Sequence, residues 1–272
     1  MNFKPDHIQW LVDTKERLQT VDGKMVEVWE LRHQPDDQIL SAWAKHFRQH
    51  YCLDQQIDAL RQGTPYSRSE YLLKIKFPDD TKAPGPSIRS GDFAEVLIAD
   101  FLEFILGFWV PRTRYIGKTV RNESTKGCDI IGFRFAQNGS VSPNDTLCIF
   151  EAKAQFSGRG PKRRLQDAID DSEKDQRRKA ESLNAMKQRF LDVQNTVDAD
   201  RIERFQDPED NPYQELSGAA AMFSTNLFNS IMIQETSTTN HSNNKQLKLI
   251  VVSGDNMMDL VNELYRRAAH EA

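Results

Sequence analysis

The sequence predicts an α/β fold, a central mixed sheet flanked by helices, preceded by an N-terminal α+β elaboration. Three observations predict it. A helical stretch that is apolar almost all round (91–108) leads into strand-like runs. Two of these, Cys128 to Ala136 and Thr146 to Gln155, are joined by a loop rich in Gly, Asn, Ser and Pro. A long charged helical region, a buried strand and an amphipathic closing helix complete the chain.

Taken in order, residues 1–88 form the elaboration and 89–272 the main domain. Met25 to Leu31 alternates as a half-buried strand does, and Asp37 to His50 has helical periodicity. Tyr71 to Phe77 is a further strand candidate, ended by the Pro- and Asp-rich run from Pro78 to Pro86. Ser90 is suited to cap the apolar helix, in which Asp92, Asp100 and Glu103 share a narrow polar strip while Glu95 falls on another face with Ile98, Leu102 and Leu106. Val110 to Val120, Cys128 to Ala136 and Thr146 to Gln155 are expected as strands, the last two as an antiparallel hairpin. A helical region from Pro161 to Arg204 carries a break. Gly218 to Ile233 fits either a helix or a buried strand pair, Leu247 to Val252 a buried strand, and Asn256 to Ala269 an amphipathic helix.

Composition narrows the function classes. With 272 residues, 38% hydrophobic and 28% charged, the chain can bury a substantial core. No run of eighteen apolar residues is present and the first six residues lack an apolar stretch, so a cytoplasmic protein with no membrane partner is expected. Cys52, Cys128 and Cys148 are too widely spaced for a thiolate zinc site and are expected to be reduced and mostly buried. A net charge of −4 argues against coating nucleic acid by bulk charge. Locally, however, Arg112, Arg114, Lys118, Arg121 and Lys126 face only Glu123, and Arg159, Lys162, Arg163 and Arg164 form a second basic group, a distribution suited to a polyanion.

The chemistry is concentrated in Leu147-Cys148-Ile149-Phe150-Glu151-Ala152-Lys153. Alternation puts Glu151 and Lys153 on the face shared by Leu147 and Ile149, where core is expected. If the hairpin turns about Val141, Asp129 lies opposite Lys153. Unpaired charges on central strands are costly unless they bind one another or a metal. Carboxylate oxygens suit a hard divalent cation, so Asp129 and Glu151 are candidate metal ligands, Lys153 a candidate for orienting the nucleophile or steadying charge on phosphorus, and Glu95 a fourth member arriving from the helix. Mg2+ is the expected metal, with Mn2+ as an alternative. Lys126, Arg163, Arg164 and Lys174 are candidates for contacting a nucleic-acid backbone.

The order helix with Glu95, strand, strand with Asp129, strand with Glu-x-Lys, helix, strand resembles the restriction-endonuclease-like PD-(D/E)xK core over residues 90–255. Gly91-Asp92-Phe93-Ala94-Glu95, Ser124 to Phe133, Phe150-Glu151-Ala152-Lys153 and Leu249 to Ala268 resemble, more narrowly, the effector nuclease subunit of the Hachiman anti-phage system. That resemblance implies a DNA nuclease restrained by a partner helicase. Two competing readings are an adaptor subunit of the same fold that binds nucleic acid or a partner without cleaving, and a sequence-specific restriction enzyme.

Other features carry less. Gly117-Lys118-Thr119 is similar to the end of a phosphate-binding loop, but Arg112 stands where that pattern requires Gly. His46, His50 and Cys52 have a zinc-like spacing without a fourth ligand and read as a solvated helix end.

Overall fold

A computed structural model of the chain describes residues 4–137 and 139–272. Residues 1–3 of the N-terminal stretch and Asn138 of the hairpin loop, both used in the sequence reading, lie outside the described residues. The strands are β1 (Leu11–Gln19), β2 (Met25–Leu31), β3 (Ile130–Arg134), β4 (Thr146–Gln155), β5 (Gln214–Ser224) and β6 (Leu247–Gly254). They form one mixed sheet in the order β1-β2-β6-β5-β4-β3. Its outer pairs, β1·β2 and β3·β4, are antiparallel, and β2·β6, β5·β6 and β4·β5 are parallel. The α/β fold with a mixed sheet flanked by helices is therefore the one the sequence predicts. The N-terminal strands extend the same sheet through β2 and β6.

The helices are α1 (Asp37–Gln49), α2 (Ile57–Arg61), α3 (Arg68–Tyr71), α4 (Gly85–Phe104), α5 (Arg164–Asp192), α6 (Thr196–Glu203), α7 (Ser230–Gln234) and α8 (Met257–His270). Residues of α1, α4 and α8 pack with Cys148, Phe150, Ala152, Ile250 and Val252 on one side of the sheet. On the other side α5 and α6 cover Leu147, Ile149, Ile131 and Phe133, while Leu165 and Ile169 of α5 cover Ala219, Leu249 and Val251. Gly218 of β5 lies opposite Phe150 of β4, and a Cβ at that glycine would sit 2.1 Å from the ring, so only glycine admits the phenylalanine. Among the described residues, no helix is long and apolar enough to cross a membrane.

Several expectations need correction. Tyr71 to Phe77 is not a strand: Ser67 and Glu70 form a reciprocal cap that starts α3, and a π-helical turn continues it over Leu72–Lys76. α4 begins at Gly85, before Ser90, because Pro86 in its first turn has a φ already suited to a helix. Ser90 lies inside that helix and donates its hydroxyl to the Pro86 carbonyl at 3.0 Å. Val110 to Val120 forms no strand. Its basic side chains turn inward to buried acids, and only Trp109 makes an isolated bridge to Phe133. The ambiguous stretch after Gly218 is strand first, within β5, and then a short helix, α7. The break after Asp192 separates α5 from α6, as the sequence predicts.

Candidate functional site

β4 is flanked in the sheet by β3 and β5 and covered by α4 on one face and α5 on the other, so its middle is buried. Glu151 and Lys153 project to the α5 side together with Leu147 and Ile149, which pack on Leu183 and Met186. Glu151 is only 4% exposed. One of its oxygens, Oε1, accepts from the Lys153 ammonium, while Oε2 is buried with no hydrogen-bond partner. Lys153 also lies 2.7 Å from Asp171 Oδ2 on α5. Burial works against its charge, but Glu151 and Asp171 outweigh burial and hold the ammonium protonated more firmly than usual.

Asp129 lies just before β3. The preceding Gly127 has φ +92, a conformation that side chains rarely adopt, and a Cβ there would come within 2.9 Å of Ser182 Oγ. This turn lets the Cys128 amide donate to Ser182 Oγ at 3.0 Å, tying the segment to α5. Asp129 Oδ2 then accepts from the Ala152 amide at 3.3 Å. The register corrects the expected pairing. Ile130 lies opposite Phe150, which sets Asp129 level with Glu151 rather than Lys153. The Asp145 carboxylate accepts from the Ala136 amide at 2.9 Å and the Ser142 amide at 3.2 Å, drawing the loop tight before β4 and shifting the hairpin from a turn about Val141.

Glu95 reaches the site from α4, on the opposite side of the sheet. Arg114 makes the connection: its Nε is 2.6 Å from Glu95 Oε2 and its Nη2 is 2.6 Å from Asp129 Oδ1. The guanidinium also donates to the carbonyls of Cys128 and Thr125, and Tyr115 donates its hydroxyl proton to Glu95. Burial raises the Glu95 pKa, against the attraction of Arg114, and Asp129 adds to the rise. Burial likewise raises Glu151, with Asp129 reinforcing it against Lys153. Asp175, on α5, is pushed up to about 7 by burial and by Asp129.

The carboxylates open onto a cleft of about 950 Å³. Lys126, Lys162, Arg164 and Arg178 join them in lining it. Of the residues selected from sequence for backbone contact, Lys126 and Arg164 are therefore in the cleft. Arg163 and Lys174 are not: Arg163 is exposed and pairs with Glu235 at 3.2 Å, and Lys174 is exposed and pairs with Asp171. Sequence reasoning missed Asp175, although a signal existed. Leu165, Ala168, Ile169, Ser172, Asp175, Leu183 and Met186 are the buried residues of α5, and an aspartate on such an apolar stripe is conspicuous. Arg114 was visible only as one of a basic group.

Glu151 Oε2 and both Asp175 oxygens are buried without a partner. The carboxylates of this site do not bring three ligand atoms within 4.8 Å of one another, but these oxygens are donors of the type a hard divalent ion takes. Arg114 holds Glu95 and Asp129 in its place. Among the described residues, only His7, His46 and Asp100 bring three ligand-type atoms within 4.8 Å of one another. There Asp100 is wholly buried and accepts from His7 at 3.0 Å, His46 at 2.9 Å and Arg112 at 2.7 Å. Burial opposes its charge, but His46 and Arg112 outweigh burial and hold the carboxyl well below the usual range. Asp100 is thus fully paired in a charge network that joins the N-terminal segment and α1 to α4. His50 packs edge-on to His46 and takes no part in it; with His50 and Cys52 both buried, this helix end is not the solvated one expected, because α1 packs its last turn into the core.

Fold and site together define an α/β protein whose mixed sheet delivers an acidic and lysine-bearing strand into a basic-rimmed cleft. The model of the HamA family matches residues 5–268, and the chain belongs to that family, the HamA proteins of Hachiman anti-phage defence. Comparison with curated proteins yields no match.

Proposed function

We propose that the chain is a metal-dependent DNA nuclease, the effector subunit of a Hachiman defence complex that acts with, and is restrained by, a helicase partner. The observation that carries the reading is Glu151: a carboxylate oxygen buried without a partner, beside Lys153, at the floor of a cleft rimmed by Lys126, Lys162 and Arg164. Such an oxygen is costly unless it is protonated or meets a cation. Asp129, Glu151 and Glu95 would hold Mg2+ or Mn2+. When bound, the ion supplies charge neutralisation and Lewis acidity to a scissile phosphodiester.

The remaining tasks fall to side chains. Lys153, kept charged by Glu151 and Asp171, is suited to hold a nonbridging phosphate oxygen or orient the attacking water. Lys126, Lys162 and Arg164 are suited to follow the backbone, which requires no base readout. The double ion pair of Arg114 with Glu95 and Asp129 favours a second reading, an adaptor of the same fold that binds without cutting. The test is the assembled complex with Mg2+, DNA and ATP, comparing wild type with the double variant Glu151→Ala, Lys153→Ala. Cleavage by wild type alone supports the nuclease. Equal cutting rejects the site, and binding without any nicking supports the adaptor.

A further inference from the structure

A second cavity, of about 420 Å³, shares the wall 124–127 with the cleft. The rest of its wall comes mainly from α4, from α5 and from the irregular segment that follows α4. It is graded from apolar to charged. Val96, Ala99, Val110 and Met186 are buried, whereas Lys126, Ala185 and Arg189 are exposed and mark the mouth. Among the described residues, neither Lys126 nor Arg189 makes an ion pair.

Three residues of the wall also carry a buried polar atom without a hydrogen-bond partner: His50 Nε2, Arg112 Nη1 and Thr125 Oγ1. His50 itself is only 4% exposed. Arg112 gives its Nε to Glu103 and its Nη2 to Asp100 and Glu103, which leaves Nη1 as a donor with nothing to meet. Leaving such groups unmet is costly. Gly117, Lys118 and Thr119, the stretch similar to the end of a phosphate-binding loop, line the same cavity. Lys118 is committed to Asp92 at 2.7 Å, so any phosphate there must find its cation elsewhere.

Unmet donors beside an apolar wall, with unpaired cations at the mouth, fit one kind of molecule: a flat apolar body bearing hydrogen-bond acceptors and an anion at its outer end. A nucleotide has that form, and the cavity lies within the range of about 300 to 1,000 Å³ usual for small-molecule sites. The exposed acids Glu123 and Glu181 also line the cavity and work against an anion alone, so the base must contribute to binding.

We infer that this cavity holds a nucleotide, with its base against the apolar wall and its acceptors toward His50, Arg112 and Thr125, and with its phosphate at the mouth beside Lys126 and Arg189. Because the wall 124–127 also lines the cleft, the nucleotide is either free or the 5′-phosphorylated end of a strand. The inference requires no metal and holds whether the chain cuts DNA or only binds it.

The experiment uses the full chain in EDTA. Binding of deoxyadenosine 5′-monophosphate and of inorganic phosphate is followed by calorimetry, and a single-stranded oligonucleotide with a 5′-phosphate is compared with its 5′-hydroxyl form by anisotropy. Ala185→Trp closes the mouth and Arg189→Ala removes a cation. Both positions are exposed on α5, so both variants are expected to keep the wild-type melting temperature, and should one melt lower the other decides. Arg164→Ala is the control, since Arg164 lines the cleft and not this cavity. The mononucleotide or the 5′-phosphorylated end is expected to bind about 10-fold or more tightly than inorganic phosphate or the 5′-hydroxyl end, respectively, and to lose about that factor in both α5 variants but not in Arg164→Ala. A gain confined to the strand end identifies that end as the occupant, and mononucleotide binding without it identifies a free nucleotide. If neither probe shows a gain that depends on Arg189 and Ala185, the inference falls. If inorganic phosphate binds as well as the mononucleotide, or if Arg164→Ala alone abolishes binding, it falls likewise, and the nuclease reading is untouched.

Discussion

Arg114 joins Glu95 of α4 to Asp129 at the start of β3, with one guanidinium nitrogen 2.6 Å from each carboxylate. Burial works against its charge, but Glu95 and Asp129 outweigh burial and hold it protonated more firmly than usual. A cation is thus built into the place between two acids that a metal would otherwise neutralise. Removing it leaves two largely buried carboxylates uncompensated, and loss of one partner from a buried pair typically costs about 3 to 5 kcal/mol. Arg114→Ala is expected to lower stability by about that amount in urea denaturation, and added Mn2+ is expected to restore more of it than Mn2+ adds to wild type. An equal metal increment in both proteins would show that Arg114 and the ion do not compete.

The β4·β5 contact gives a prediction free of the chemistry. With Phe150 packed where a side chain of residue 218 would lie, Gly218→Ala forces the ring or the strand to shift. Overpacking of this kind costs about 1 to 3 kcal/mol. Chemical denaturation of the variant is expected to show a lower midpoint with an unchanged slope; an unchanged midpoint would contradict the close approach.

Asp100 sets a pH dependence whose sign follows from its environment. His46 and Arg112 overcome burial and depress its folded-state pKa well below the usual range, whereas in the unfolded chain it titrates near the ordinary aspartate value of about 3.9. Its contribution is present above that value and is lost as pH falls toward the folded-state pKa. Asp100→Asn is expected to cost about 3 to 5 kcal/mol at pH 7. The gap between variant and wild type should narrow at about pH 3, below that unfolded value. A gap that widens on acidification would reverse the assignment.

The cleft divides the basic residues into two sets. Lys126 and Arg164 line it, and Arg163 and Lys174 lie outside it in surface ion pairs. In anisotropy titrations with DNA, Lys126→Ala and Arg164→Ala are each expected to weaken binding and to reduce the salt slope by about one. Arg163→Ala and Lys174→Ala are expected to change both little. Equal losses from all four would mean that DNA follows a path other than the cleft.

These two sets also mark the limit of what the sequence made legible. Period-2 alternation found β4 to the residue and paired Glu151 with Lys153, because strand geometry is local. The register of Asp129 depended on how Asp145 folds the hairpin loop, which residue counting does not reveal. Helical spacing separated Glu95 from Asp92 and Asp100 but not the route by which Glu95 reaches the other side of the sheet. That route is Arg114, held in an irregular segment whose basic residues look, in sequence, like a surface patch. Cap chemistry at Ser67 and Glu70 overrode the strand-like run from Tyr71 to Phe77. His7 and Asp100, 93 positions apart, meet only through tertiary packing.

The central claim is that Glu151 and Lys153 serve phosphodiester cleavage. Its most direct test is single-turnover cleavage of DNA by the assembled defence complex with Mg2+, carrying wild type, Glu151→Gln or Lys153→Ala, with DNA binding measured in parallel. The account expects each variant to bind DNA within a few-fold of wild type and to cleave at least about 10²-fold more slowly. Cleavage by Glu151→Gln at the wild-type rate would contradict it.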